Sequence, residues 1–259
     1  MATAWASFPY PESQYVRTAA TLKKAWARLH CGDQEPYPKD AAVATAWMAF
    51  HAGDFAQAAE RGLAAGRAGV TVANKATAIY ANYLEPDERR KLALFEEVAA
   101  RAEQQQQAEP KNPNAWYWQA YALGRYAQGV SVVQALAQGI GGRVKAALET
   151  TIRLAPRHAD AHIALAAYHA EVIDKVGALV GGLTYGASKD TALALYEAAL
   201  KLMPESAIAR IEFANGLVLL EGRKGLARAE RLYAEAAACS PLDAMERLDV
   251  ELARTELED

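Results

Sequence analysis

The chain has 259 residues, of which 52% are hydrophobic but only 8% aromatic, and its formal net charge is −3. This length allows one sizeable domain or an array of small units, and the lack of a basic excess argues against nucleic acid or an anionic membrane as a partner. Much of the hydrophobic content is alanine, the best helix former, which favours an all-helical protein over a sandwich or barrel. No apolar run of about 18 residues is present, so no membrane span is predicted.

The N-terminal stretch MATAWASFPYPESQ lacks the basic and apolar regions of a signal peptide. The two cysteines, Cys31 and Cys239, are far apart, and a reduced, cytoplasmic chain is the simpler interpretation. The location would be periplasmic if a signal sequence has been removed. An amphipathic helix is predicted from about Glu12 to His30, within an N-terminal helical extension over residues 1–38.

Helical hairpins are predicted to follow. In AVATAWMAFHAGDFAQAAERGLAAG, Gly53 is expected to end one helix and Asp54 to cap the next. Three later segments align on a closing proline: VKAALETTIRLAP, TALALYEAALKLMP and LARAERLYAEAAACSP. Their small and large apolar residues recur at matching positions, as two closely crossing helices require.

This pattern resembles the tetratricopeptide repeat (TPR), whose signature combines packing alanines, aromatic positions and a closing proline. The matching residues are Trp116, Ala58, Ala192, Ala229, Tyr196, Tyr233, Pro156, Pro204 and Pro241. The resemblance covers about residues 39–241. It implies an all-α fold, a right-handed α-solenoid of about five irregular TPR helix hairpins, with a capping helix over 242–259.

The prolines are spaced more widely than the family's 34-residue unit, because two glycine-bearing insertions, 129–142 and 176–190, interrupt the repeats. A long helix is also predicted in PDERRKLALFEEVAARAEQQQQAEP, entered at Asp87. With NPNAWYWQAYALGRYAQG, these features resemble the TPR accessory proteins of TRAP-type transporters and the regulator-of-microtubule-dynamics proteins. That narrower resemblance implies a ligand-binding accessory subunit, in which the insertions wall an apolar pocket or form a homo-oligomer interface.

The second insertion, VGALVGGLTYGASKD, invites comparison with a phosphate-binding loop. A Walker A loop needs Lys directly after its second glycine. Here Lys189 comes three positions after Gly186, and the stretch continues a helical repeat instead of following a strand. We therefore expect no phosphate site, and we expect Ser188 to cap the next helix.

Three histidines, His158, His162 and His169, share one helical face and raise the question of a metal. His162 and His169 are roughly 10 Å apart along an ideal helix, which is too far for one ion. Packed histidines are the favoured interpretation, and neither a metal nor another cofactor is predicted. No nucleophile has a general base at a recognisable spacing. A non-enzymatic protein is predicted, and a His-dependent enzyme or metal protein is the less favoured alternative.

The repeat register predicts a concave groove with aromatic residues and a few polar groups. Such a groove suits a peptide or protein partner, or an apolar small molecule. Packing between repeats is the competing interpretation for the same side chains. The predicted groove residues are Trp47, Phe50, Tyr117, Trp118, Tyr121, Arg125, Ile163 and Asn215.

Overall fold

The computed structural model describes residues 5–258, and in that range it contains fourteen α-helices and no β-strand. The helices are α1 Ala19–Leu29, α2 Ala41–Ala52, α3 Phe55–Ala64, α4 Val70–Tyr83, α5 Glu88–Ala108, α6 Pro113–Gly129, α7 Val132–Ala137, α8 Ile140–Leu154, α9 Ala159–Val176, α10 Ala178–Tyr185, α11 Lys189–Leu202, α12 Ala207–Glu221, α13 Leu226–Ala237 and α14 Ala244–Glu258. None of the described helices is both long enough and apolar enough to cross a bilayer.

The chain divides into two compact units. Unit 1 comprises the chain up to His30, then Glu35–Leu154 and Leu242–Met245. Unit 2 comprises Cys31–Gln34, Ala155–Pro241 and the chain from Glu246 onward. The domain boundaries predicted from the sequence stay a prediction.

In unit 1, helices adjacent in sequence pack against each other from α2 through α6, and α8 then packs against α6. Gly53 ends α2 in the left-handed region at φ 90°, and the Asp54 carboxylate accepts a hydrogen bond from the Gln57 N–H at the start of α3. Both predicted capping roles are therefore confirmed. Asp87 caps the long α5 in the same way, as predicted.

The predicted N-terminal helix begins later than the sequence suggested. A short 3-10 turn covers Ser13–Tyr15, and α1 starts only at Ala19. The reason is local, because Thr18 and Thr21 form a reciprocal capping box that fixes the first turn. Helical periodicity alone did not distinguish the 3-10 turn from the helix that follows.

In unit 2, α9 packs against α11 and α12, and α12 packs against α13. The core of this unit contains the stacked rings of Tyr196 and Phe213, whose centres are 5.0 Å apart. Ser188 accepts a hydrogen bond from the Thr191 N–H, so its predicted role as the cap of α11 is confirmed.

Each insertion forms a short helix of its own. The sequence suggested that 176–190 first extends the preceding helix, but α9 ends at Val176 because Gly177 adopts φ 80°. Residues with large apolar side chains stay exposed on both short helices. They are Val132, Val133 and Leu136 on α7, and Leu179, Val180 and Leu183 on α10.

Candidate partner-binding site

The predicted groove residues of α2 are covered by other residues of unit 1. Trp47 and Phe50 are 1% and 0% exposed. The Trp26 ring of α1 meets Trp47 edge-on with ring centres 5.6 Å apart, and the Lys75 ammonium of α4 lies 5.3 Å from the centre of the Phe50 ring. In this structure both residues therefore pack inside the unit, and a role in partner binding stays a prediction.

A buried polar chain lies beside these aromatic rings. The His51 ring is hydrogen-bonded through Nδ1 to a carboxylate oxygen of Asp243 at 2.7 Å, and its Nε2 lies 3.3 Å from Nε2 of His30. All three residues are buried. Hydrogen bonding lets these polar groups remain inside the unit without a large desolvation cost. The sequence grouped other histidines and gave no signal for this contact, which joins residues 192 positions apart.

The four predicted groove residues of α6 lie together and differ in accessibility. Tyr117 and Trp118 are buried, whereas Tyr121 and Arg125 are half-buried. The Arg125 guanidinium lies 5.4 Å from the centre of the Tyr121 ring, and the rings of Trp118 and Tyr121 are 5.3 Å apart. A cation beside an aromatic face gives a surface that can take both apolar and acidic groups.

The indole N–H of Trp118 is a buried donor without an acceptor among residues 5–258. A buried donor left unpaired costs on the order of 1–3 kcal/mol, so such groups point to an additional partner or to ordered water. Tyr121 is the half-buried ring packed beside this indole.

In unit 2 the two predicted groove residues are engaged within the unit. Ile163 belongs to the buried core, with Tyr196 and Phe213. Asn215 is half-buried, and its side-chain oxygen accepts a hydrogen bond from the Tyr233 hydroxyl. Contact of either residue with a partner stays a prediction.

The three histidines considered for a metal contact the backbone instead. Nδ1 of His158 accepts from the Ala161 N–H at 3.1 Å, and Nδ1 of His169 accepts from the Ser188 N–H at 3.3 Å. Nε2 of His162 lies 2.9 Å from the Pro156 carbonyl. Within residues 5–258, no group of three or more His, Cys, Asp or Glu residues has the geometry to hold a metal ion.

Two polar residues of α4 form side-chain hydrogen bonds with Arg101 of α5. The Arg101 guanidinium donates to Asn74 at 2.6 Å and to Thr77 at 3.1 Å, and it forms an ion pair with Glu97. Burial lowers the pKa of Arg101, while the Glu97 carboxylate acts in the opposite direction. These contacts give Arg101 a packing role between the two helices.

Within unit 1, an N-terminal segment that the sequence did not single out packs against α3 and α4. The Trp5 ring stacks on Tyr80 with centres 4.2 Å apart, and Phe8 meets Phe55 edge-on at 6.3 Å. The signal that could have found it was the pair of aromatic residues in WASF, three positions apart.

Among solved structures, the chain is similar to a thermophilic TPR protein of Thermus thermophilus. The two align with a TM-score of 0.57 over 83% of this chain and 97% of that one, at 16% sequence identity. No family model and no curated protein matches the sequence. At this identity the likeness shows the fold, and with the fourteen described helices it confirms the predicted all-α, TPR-like solenoid class. The narrower resemblance to transporter accessory proteins and to microtubule-regulating proteins stays a prediction.

Proposed function

We propose that this chain is a non-enzymatic scaffold that binds a peptide or protein partner. The observation that carries the proposal is the surface of α6, where half-buried Tyr121 contacts both the Arg125 guanidinium and the ring of Trp118, whose indole N–H has no acceptor among residues 5–258. The TPR-like fold supports it, because stacked helix hairpins build extended surfaces that suit segments of other proteins. Fold alone does not fix a partner, so the chemistry of this surface must supply the specificity.

The partner expected at this surface combines an apolar side chain with an acidic group. The Tyr121 ring supplies apolar area, and the Arg125 guanidinium supplies a charge that pairs with carboxylates. A backbone carbonyl of the partner is the acceptor that we propose for the Trp118 N–H. Aromatic and arginine residues are also the types that dominate binding energy at protein interfaces.

The proposal is tested by a pull-down in which the chain is immobilised as bait. Mass spectrometry then identifies the bound proteins and small molecules. The experiment compares the wild-type chain with Tyr121→Ala, Arg125→Ala and a control, Arg153→Ala, which removes an exposed arginine from α8. We expect the two α6 variants to lose the same partners, and the control to keep them. Partners retained by all variants would place binding elsewhere, and capture of small molecules alone would favour the accessory-subunit alternative.

A further inference from the structure

Residues 5–8 belong to unit 1, form neither helix nor strand, and contact the helices of that unit through two aromatic side chains. Trp5 and Phe8 are half-buried, whereas Ala6 and Ser7 between them are exposed. The Trp5 ring is nearly parallel to the Tyr80 ring, at an angle of 14°. Two inward anchors separated by exposed residues are typical of a peptide bound by a protein surface.

Tyr80 presents both a ring and an oriented hydrogen-bond acceptor to this segment. Its hydroxyl accepts from the Ala6 N–H at 3.1 Å and donates to the Glu85 carboxylate at 3.1 Å. Glu85 is held in turn by an ion pair with Arg90. The acceptor direction of the Tyr80 hydroxyl is therefore fixed by the folded unit.

Gly53 leaves room for the second anchor. A Cβ atom at this position would lie 2.6 Å from the Phe8 ring, far inside contact distance. Gly53 also has φ 90°, which side-chain-bearing residues rarely adopt. The Phe8 ring thus lies in a recess that requires glycine, with the Phe55 ring as another wall.

We propose that Tyr80, Gly53 and Phe55 form a receptor surface for a peptide with Trp and Phe three residues apart. Residues 5–8 occupy this surface in cis, and a partner segment of the same pattern takes their place in trans. This inference shares with the proposed function only the premise that the chain binds peptides. The binding surface is a different one, because it does not include Tyr121 or Arg125. A tethered segment competes at a high effective concentration, so partner binding is weakened until the segment is released.

Fluorescence anisotropy with a labelled peptide, WASFPYP, tests the inference on the full-length chain. Three chains are compared: the wild type, the double variant Trp5→Ala/Phe8→Ala, and the double variant with Tyr80→Phe added, which keeps the ring but removes the acceptor for the backbone N–H of the segment. A peptide with both anchors replaced, AASAPYP, is the matched control probe. Circular dichroism of each chain is recorded in parallel.

We expect the double variant to bind the WASFPYP probe at least ten-fold more tightly than the wild type, and the control probe not to bind. Adding Tyr80→Phe should reverse part of that gain, because the backbone N–H of the bound probe then lacks its acceptor. Equal binding to wild type and double variant, or no binding to a double variant with wild-type helicity, would overturn the inference. Loss of helicity in the double variant would also overturn it, because the segment would then be part of the folding core. All these outcomes leave the Tyr121-dependent capture unaffected, so the two proposals fail separately.

Discussion

Gly216 of α12 lies directly against the Tyr196 ring of α11. A Cβ atom at Gly216 would be 2.4 Å from the Cε2 atom of Tyr196. The ring cannot move aside easily, because it is 1% exposed and stacked on Phe213. Because Gly216 has no side chain, α11 and α12 of unit 2 can approach each other closely at this position.

We expect Gly216→Ala to destabilise the protein by about 1–3 kcal/mol, since overpacking outweighs the higher helix propensity of alanine. Gly124 of α6 provides a matched control, because a Cβ atom there would have no other side chain and no distant backbone atom of the described chain within 4 Å. Gly124→Ala should stabilise the chain by about 0.5–1 kcal/mol. Denaturant-unfolding midpoints of the two variants check this prediction, and a shift in the same direction for both would contradict it.

The buried Tyr196 hydroxyl makes stability dependent on alkaline pH. Burial raises its pKa well above 10.0, and the charges of Glu212 and Glu171 raise it further. Above pH 10.0 the unfolded chain releases this proton while the folded chain keeps it, so stability falls as pH rises. Below that pH the contribution is fully present.

Tyr196→Phe should therefore reduce the slope of unfolding free energy against pH in the alkaline range. Unfolding curves collected from pH 8 to about 11 measure that slope. Tyr233→Phe is a useful comparison, because burial also raises the pKa of Tyr233 but this residue is only half-buried. Identical slopes for the wild type and Tyr196→Phe would show that Tyr196 does not contribute to the alkaline pH dependence of stability.

The bond between His51 and Asp243 should contribute strongly to the stability of unit 1. Removing one partner of a buried hydrogen bond costs about 1–3 kcal/mol, because the other polar group is left without that partner. We expect Asp243→Ala to lower the free energy of unfolding by an amount in that range. Asp174→Ala, at an exposed position of α9, should change stability by less than about 0.5 kcal/mol. Denaturant unfolding compares the two variants, and similar small effects in both would contradict the assigned role.

The exposed apolar residues of α10 should matter little for folding. Leu179 and Leu183 are 76% and 82% exposed, so replacing both with Ser should shift stability by less than about 1 kcal/mol. Leu217→Ser, at a buried position of α12, should cost several times more. Thermal melts compare the variants, and sedimentation velocity of the wild type and the α10 variant tests the predicted homo-oligomer. A large melting loss in the α10 variant would show that the two leucines are covered in the folded protein.

Features set by local sequence were predicted well. Gly53, Asp54 and Ser188 end or cap helices as expected, because capping depends on a few neighbouring residues. The repeated small and large apolar positions predicted the all-α fold for a similar reason, since helical periodicity is a local pattern.

Contacts between distant parts of the sequence were not predicted. Repeat register placed Trp47 and Phe50 on a groove, but it could not show that Trp26 of α1 would pack against Trp47. Likewise, no local pattern links His51 with Asp243 or Trp5 with Tyr80. Such pairings depend on which distant segments meet in the folded chain, so the sequence alone could not show which of the predicted residues stay accessible.

The central claim, that the surface of Tyr121 and Arg125 binds a peptide or protein segment, is tested most directly by calorimetry. The measurement is the dissociation constant of the recovered partner segment for the wild-type chain, Tyr121→Ala, Arg125→Ala and the control Arg153→Ala. We predict at least a ten-fold weakening for each α6 variant, about 1.4 kcal/mol, and less than a two-fold change for the control. Equal dissociation constants for all four correctly folded chains would contradict the claim.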